Sequence, residues 1–139
     1  MKKFLIVILI CFAQNGFSQT EEPKRYISDA ERAAFEENQI YNTAGIKVKP
    51  EFPGGQEALE RFLKDNYKNP RKDLKGKVYT IFIIERDGSL SDIKILRDLG
   101  DGNTGTEAIR VLKKSPKWIP GKQNNKTVRI LYPVTIVVD

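Results

Sequence analysis

The twelve residues Thr127 to Val138 constrain this chain more than any other stretch. Val128, Ile130, Tyr132, Val134, Ile136 and Val138 fall on one side of an extended backbone, and Arg129, Leu131, Thr135 and Val137 on the other, the period-two alternation of a β-strand. Pro133 stands in the middle. Proline has no N–H to give a ladder, so the strand belongs at the edge of a sheet, with at least that position facing outward. A long strand of high β propensity with a free edge can also receive an extended peptide as a further strand. The plain alternative carries equal weight: every open sheet has edges, and an edge proline also serves to discourage unwanted pairing.

The elements that precede this strand decide what sheet it joins. After the extended, turn-rich Val48–Gly55 segment, Ala58, Leu59, Phe62, Leu63 and Tyr67 recur at helical spacing from Gln56 to Tyr67, with Glu57/Arg61 and Glu60/Lys64 as outward i,i+4 pairs, and Asn69-Pro70 ends the run. Lys77 to Arg86 reads as a strand with cover on both faces, and Asp87-Gly88 as a hairpin turn. Ser91 to Arg97 alternates Ile93 and Ile95 against Asp92 and Lys94, a strand with one wet face. Thr104 and Glu107 have capping-box spacing and open a short helix through Leu112. Helix, strand, strand, helix, strand gives an α+β fold: a three-stranded antiparallel sheet with two helices packed on one face.

The N-terminal part differs in character. Met1-Lys2-Lys3, the apolar run Phe4 to Ala13 and the small residues before Gln19 read as a secretory signal peptide over residues 1–18. Ten helical residues reach only about 15 Å, half of what an anchor must span. Residues 19–44 form a flexible or weakly helical leader marked by a capping box at Ser28–Glu31, and residues 45–139 the folded domain. Cleavage takes away two lysines, no acid and Cys11, lowering the net charge from +6 to +4. The mature chain then has neither Cys nor His, so it has no disulfides, no imidazole-based catalytic triad and no His-built metal site. Export makes nucleic acid an improbable target, while the positive charge suits anionic envelope surfaces.

Other motifs have plain readings. Gly100 to Gly105 spells G-x-G-x-x-G, but one βα unit after a hairpin cannot build a dinucleotide site, and Asp98 and Asp101 would repel a pyrophosphate. With Asn103 these acids could be taken for a calcium loop, yet the spacing and bidentate Glu of an EF-hand are missing. Glu85 and Asp87 make a nominal carboxylate pair for a hydrolase, although turn chemistry explains Asp87. Lys68, Arg71, Lys72, Lys75 and Lys77 form a basic rim, and Trp118 reads as core. No cofactor, metal ligand set or catalytic residue stands out.

Taken together, Lys49-Pro50-Glu51-Phe52-Pro53-Gly54-Gly55, Glu57-Ala58-Leu59, Phe62-Leu63, Gly76-Lys77-Val78, Arg86-Asp87-Gly88-Ser89-Leu90, Glu107-Ala108-Ile109-Arg110, Pro116 to Lys122 and Tyr132-Pro133-Val134 resemble, in order and spacing, the C-terminal domain of TonB-family energy transducers in the form common among Bacteroidetes. The similarity runs from about Ile40 to Asp139. It implies a non-enzymatic periplasmic domain that binds the TonB box of outer-membrane TonB-dependent receptors by β-strand addition, in energy-coupled transport. The partner strand would be the last one, with Val128, Arg129, Ile130, Leu131, Tyr132, Val134, Thr135 and Ile136 in contact, and Asn69, Pro70 and Arg71 as a secondary contact. An inner-membrane ExbB/ExbD-type complex enters only for an anchored chain, and an edge strand also allows a homodimer. Two departures qualify the likeness: a full transducer carries an uncleaved membrane helix and a long Pro-rich spacer, and the family's Tyr-Pro before the first strand is Asn69-Pro70 here. The alternative from another class is a structural envelope module that binds cell-wall polymer, through the basic rim, or another periplasmic protein.

Overall fold

The computed structural model describes residues 26–139. The signal peptide expected over residues 1–18 and the first part of the leader lie outside the described residues. The elements are α1 (Asp29–Asn38), β1 (Ile40–Asn42), a 3-10 turn (Thr43–Gly45), α2 (Gln56–Asn66), β2 (Gly76–Ile84), β3 (Leu90–Arg97), α3 (Asn103–Lys113), the short hairpin β4 (Lys122–Gln123) and β5 (Lys126–Thr127), and β6 (Arg129–Val138). The main sheet has the order β1-β6-β2-β3.

The α+β class and the antiparallel trio β6-β2-β3 are those read from the sequence. The sheet itself is four-stranded and mixed, because β1 adds to the outer side of β6 in parallel, with Ile40, Tyr41 and Asn42 opposite Arg129, Ile130 and Leu131. Three leader residues with no alternation of their own gain a strand conformation from a neighbour almost ninety positions away.

The core lies between one face of the sheet and α2 and α3. Val78, Thr80, Phe82 and Ile84 of β2 and Val134, Ile136 and Val138 of β6 point the same way and are buried. Leu59 and Leu63 of α2 and Ala108, Val111 and Leu112 of α3 complete the layer. Trp118 is a core residue, 3% exposed; its ring meets Phe52, Phe82 and Tyr132 at centroid distances of 5.4, 5.6 and 5.2 Å, and its indole N–H donates to Ser115 Oγ at 2.8 Å. The opposite face of β2 is less covered than its apolar sequence suggests: Ile83 is buried but Tyr79 is 41% exposed. A satellite cluster of Ile46, Val128 and Ile130, with Tyr41 against it, ties the leader to the start of β6.

The turns follow their chemistry. Asn124 and Asn125 both take positive φ, 52° and 62°, between β4 and β5, as a two-residue hairpin loop requires. Gly88 has φ +85°, and a Cβ there would stand 2.0 Å from the Trp118 carbonyl oxygen, so the β2–β3 turn is pressed onto the tryptophan segment, whose N–H donates to the Gly88 carbonyl at 2.8 Å.

The two capping boxes read from the sequence have different outcomes. The capping box at Ser28 is complete: Ser28 Oγ accepts from Glu31 N and the Glu31 carboxylate accepts from Ser28 N. The second one does not form. The residue before α3 is Gly102, in left-handed conformation and without a side-chain cap, while Asp101 Oδ1 accepts from Asn103 N and Thr104 N at 3.1 and 3.3 Å. Thr104 is buried as the second residue of the helix, its hydroxyl accepting from Leu99 N at 3.2 Å, and Glu107 turns to Arg110 and to Lys68 N. On α2, Glu60 accepts from the Gln56 amide instead of pairing with Lys64.

Candidate functional site

The two sides of β6 are unequal. Its inner side is paired with β2 along the whole register from Gly76↔Val138 to Ile84↔Ile130. Its outer side is paired only at Arg129, Ile130 and Leu131, where β1 lies. Among the described residues, Tyr132 to Val138 have a strand neighbour on one side only. Pro133, opposite Ile81, falls in this one-sided half, where a missing ladder donor costs least.

The candidate contact residues therefore divide. Tyr132, Val134, Thr135 and Ile136 lie in the open half. Arg129, Ile130 and Leu131 do not present the free edge expected of them, because β1 occupies it, and Val128 precedes the strand and gives its N–H to the Gly121 carbonyl at 3.1 Å. An edge expected to be open from Val128 to Val138 thus becomes one open from Tyr132 to Val138. The physical reason is a set of polar ties that only the folded chain assembles. Arg129 holds Glu85 through two bonds, Nε–Oε2 at 2.8 Å and Nη2–Oε1 at 3.0 Å, and reaches the Asn38 carbonyl at the C-terminal end of α1. Arg86 binds the Glu37 carbonyl and carboxylate beside it. Two guanidiniums at the carbonyl end of a helix satisfy its orphan acceptors and its dipole together, and they deliver β1 to the edge.

Glu85 is thereby accounted for. The hydrogen bonds from Arg129 hold its carboxyl below the ordinary glutamate value, with Ser91 Oγ assisting against the opposing effect of burial. Asp87 caps its own turn through Ser89 N and Oγ. The two carboxylates line one open surface pocket with Arg86 and Arg129, and each is engaged there by its own structural partners. Asp98 and Asp101 likewise accept from the backbone of their own loop, at Gly100 N and Asn103 N.

Asn69, Pro70 and Arg71 sit at the far end of the open half. Asn69 Nδ2 donates to the Leu74 carbonyl and to the Asp139 carbonyl, at 2.9 and 3.1 Å, clipping the segment before β2 to the residue that follows β6. Arg71 is engaged by Asp73 at 2.7 Å, which removes one charge from the basic rim. Nearby, Tyr67 donates to the Thr104 carbonyl at 3.0 Å and links α2 to α3; burial, with the negative charges of Glu107 and Asp101, pushes its phenol up to about 12.

Beside the open half runs a groove of about 540 Å³ between α2 and β6, with Leu59, Leu63, Tyr132, Val134, Thr135 and Val137 among its walls. Sequence reasoning identified the strand but not this groove, since it needs α2 to lie over the sheet edge. No helix among the described residues is long and apolar enough to cross a membrane.

The family described as Gram-negative bacterial TonB protein C-terminal matches residues 68–137, which takes in β2, β3, α3, the β4–β5 hairpin and all of β6 but Val138. No curated protein matches the chain. Among solved structures, the NMR solution structure of the Helicobacter pylori TonB C-terminal domain is similar at 19% identity, with 60% of this chain and 90% of that one covered and a TM-score of 0.45. With half of its length matched by the family, the chain belongs to the TonB C-terminal family.

Proposed function

We propose that this chain is a non-enzymatic periplasmic binding domain that takes up the TonB box of an outer-membrane TonB-dependent receptor as an added strand on β6, as part of energy-coupled transport. Membership of the TonB C-terminal family supports the TonB-like role. The observation that carries the reading is the half-open edge: Tyr132 to Val138 leave one row of backbone donors and acceptors without a strand partner among the described residues.

The energetics suit a transient grip. Each ladder hydrogen bond nets about 0.5–1.5 kcal/mol, while ordering each peptide residue costs about 1–2 kcal/mol. Backbone pairing alone comes out near zero, so register and affinity depend on the side chains that the added strand buries.

The test is an NMR titration of a synthetic TonB-box peptide into the protein. Amide shifts concentrated in residues 132–138 support the reading, and a flat response along β6 overturns it. Shifts confined to Lys68–Lys77, with salt-sensitive binding to peptidoglycan, would favour the envelope-module alternative.

A further inference from the structure

The face of the main sheet that turns away from α2 and α3 is uncovered toward one end. Val78, Thr80 and Phe82 point into the core, so Lys77, Tyr79 and Ile81 of β2 point the other way. Register sets their neighbours: Lys77 faces Val137, Tyr79 faces Thr135 and Arg97, and Ile81 faces Pro133 and Lys94. The register shift between Tyr79 and Thr80 leaves Leu96 as an additional residue of β3, so that Leu96 and Arg97 together oppose Tyr79. Further along β2, Ile83 is buried, whereas Tyr79, Leu96 and Val137 are 41%, 63% and 61% exposed. Cross-strand neighbours stand about 5 Å apart, so these apolar side chains make one patch and not scattered positions.

The free charges on this face are of one sign. Lys77 and Arg97 have no ion pair among the described residues. The acids along the same strands are engaged: Glu85 by Arg129 at 2.8 Å, Asp92 by Lys94 at 3.4 Å, and Asp98 by its own loop at Gly100 N. Asp139 stands at the margin, where it lines the α2–β6 groove with Lys77, and the exposed Lys75 two residues before Lys77 leaves that margin net positive. A second copy packed face to face therefore brings no free acid to Lys77 and Arg97. The grooves along β6 and beside α1 stop short of Tyr79, Ile81, Leu96 and Arg97, so the patch is open surface and not a pocket of the kind that holds a protein partner's anchor residue.

We propose that this face is a docking surface for an anionic lipid bilayer, with Tyr79, Leu96 and Val137 entering the interface and Lys77 and Arg97 meeting the headgroup phosphates. Aliphatic tips and a tyrosine beside two long cationic side chains are the chemistry of an interfacial anchor: the ring and the stems sit at the acyl boundary while the charged ends stay at headgroup level. The ladder groups on the outer edge of β6 lie in the plane of the sheet, so docking by the face leaves that edge accessible. Lipid docking and strand addition stand or fall separately.

The test places a fluorescent reporter on the face. Trp118 is buried and gives a constant background, so Tyr79→Trp is the first reporter and Leu96→Trp the second, with Arg61→Trp, exposed on α2 across the sheet, as the control. The apolar run Phe4 to Ala13 can itself enter a bilayer, so the reading is taken at these positions and not from sedimentation of the full chain. Mixed phosphatidylcholine and phosphatidylglycerol vesicles with brominated acyl chains are expected to blue-shift and quench Tyr79→Trp and Leu96→Trp but not Arg61→Trp. In the Tyr79→Trp chain, Lys77→Gln/Arg97→Gln is expected to need about thirtyfold more lipid for the same quenching, with unchanged thermal unfolding. Vesicle binding without quenching at either reporter overturns the proposal, as does equal quenching of the Arg61→Trp control. Equal quenching by pure phosphatidylcholine vesicles overturns the role of the two cations. A concentration-dependent blue shift of both reporters without vesicles assigns the face to a second copy and overturns lipid docking.

Discussion

The helices α1 and α3 are nearly equal in length and opposite in how they are held. Ser28 and Glu31 give α1 a complete capping box, yet not one of its residues is buried, and Phe35 is 69% exposed. The residue before α3, Gly102, has no side chain to cap with, and only Asp101 Oδ1 serves the first two N–H groups of the helix, yet α3 buries Thr104, Gly105, Ala108, Val111 and Leu112. Local chemistry places the start of a helix, whereas burial decides how much the helix contributes to the fold. In this molecule the two are uncoupled, and the helix with the stronger local signal is the one that stands outside the core.

The sharpest way to break that contrast is to truncate each helix in turn. Leu112→Ala, at 1% exposure in α3, is expected to cost about 2–5 kcal/mol of global stability in denaturant titration. A cost below 1 kcal/mol would mean that α3 is no more coupled to the core than α1. Next in size is Thr104→Val, which removes the acceptor for Leu99 N from a buried site and is expected to cost about 1–3 kcal/mol.

The polar ties of α3 should also show in acid. Hydrogen bonds from Arg110 and from Lys68 N hold the Glu107 carboxyl below its ordinary value of 4.5. A lowered carboxyl contributes stability that is fully present above that ordinary value and is lost as the pH falls through the folded one. The denaturation midpoint of the wild type is therefore flat above about pH 5 and falls below it, and Glu107→Gln flattens part of that fall. An unchanged acid limb in the variant would remove Glu107 from the account. Smallest globally is Ser28→Ala. It is expected to weaken α1 by about 0.5–2 kcal/mol, read as faster amide exchange in residues 29–38, while global stability moves by less than about 0.5 kcal/mol. A matching global loss would show that α1 belongs to the cooperative unit after all.

These differences explain what the sequence made legible. The alternation along Thr127–Val138 named the buried residues Val128, Ile130, Val134, Ile136 and Val138 correctly, because a period of two commits every side chain at once. The helix Gln56–Asn66, the hairpin turn at Gly88 and the core placement of Trp118 were equally readable, each carried by neighbours in sequence. What could not be read depends on distant partners. Ile40 to Asn42 become a strand only beside Arg129 to Leu131, and the guanidiniums of Arg86 and Arg129 bring them there. Thr104 and Glu107 have the spacing of a capping box, but Leu99, Lys68 and Arg110 compete for their oxygens and win. The outer edge of β6 was found from Pro133, and its extent was not, because occupancy of an edge is a property of whichever segment reaches it first.

The register between β6 and β2 has a mechanical consequence. Gly76 to Ile84 oppose Ile130 to Val138 without a break, and antiparallel ladder bonds run perpendicular to the strands. Tension drawn along β6 and resisted through β2 therefore loads those bonds in shear, side by side, instead of opening them one after another like a zip. With β2 between it and β3, β6 is fastened to the middle of the sheet. A tether seated on its outer edge would pull against a strand whose nine facing pairs with β2 share the load.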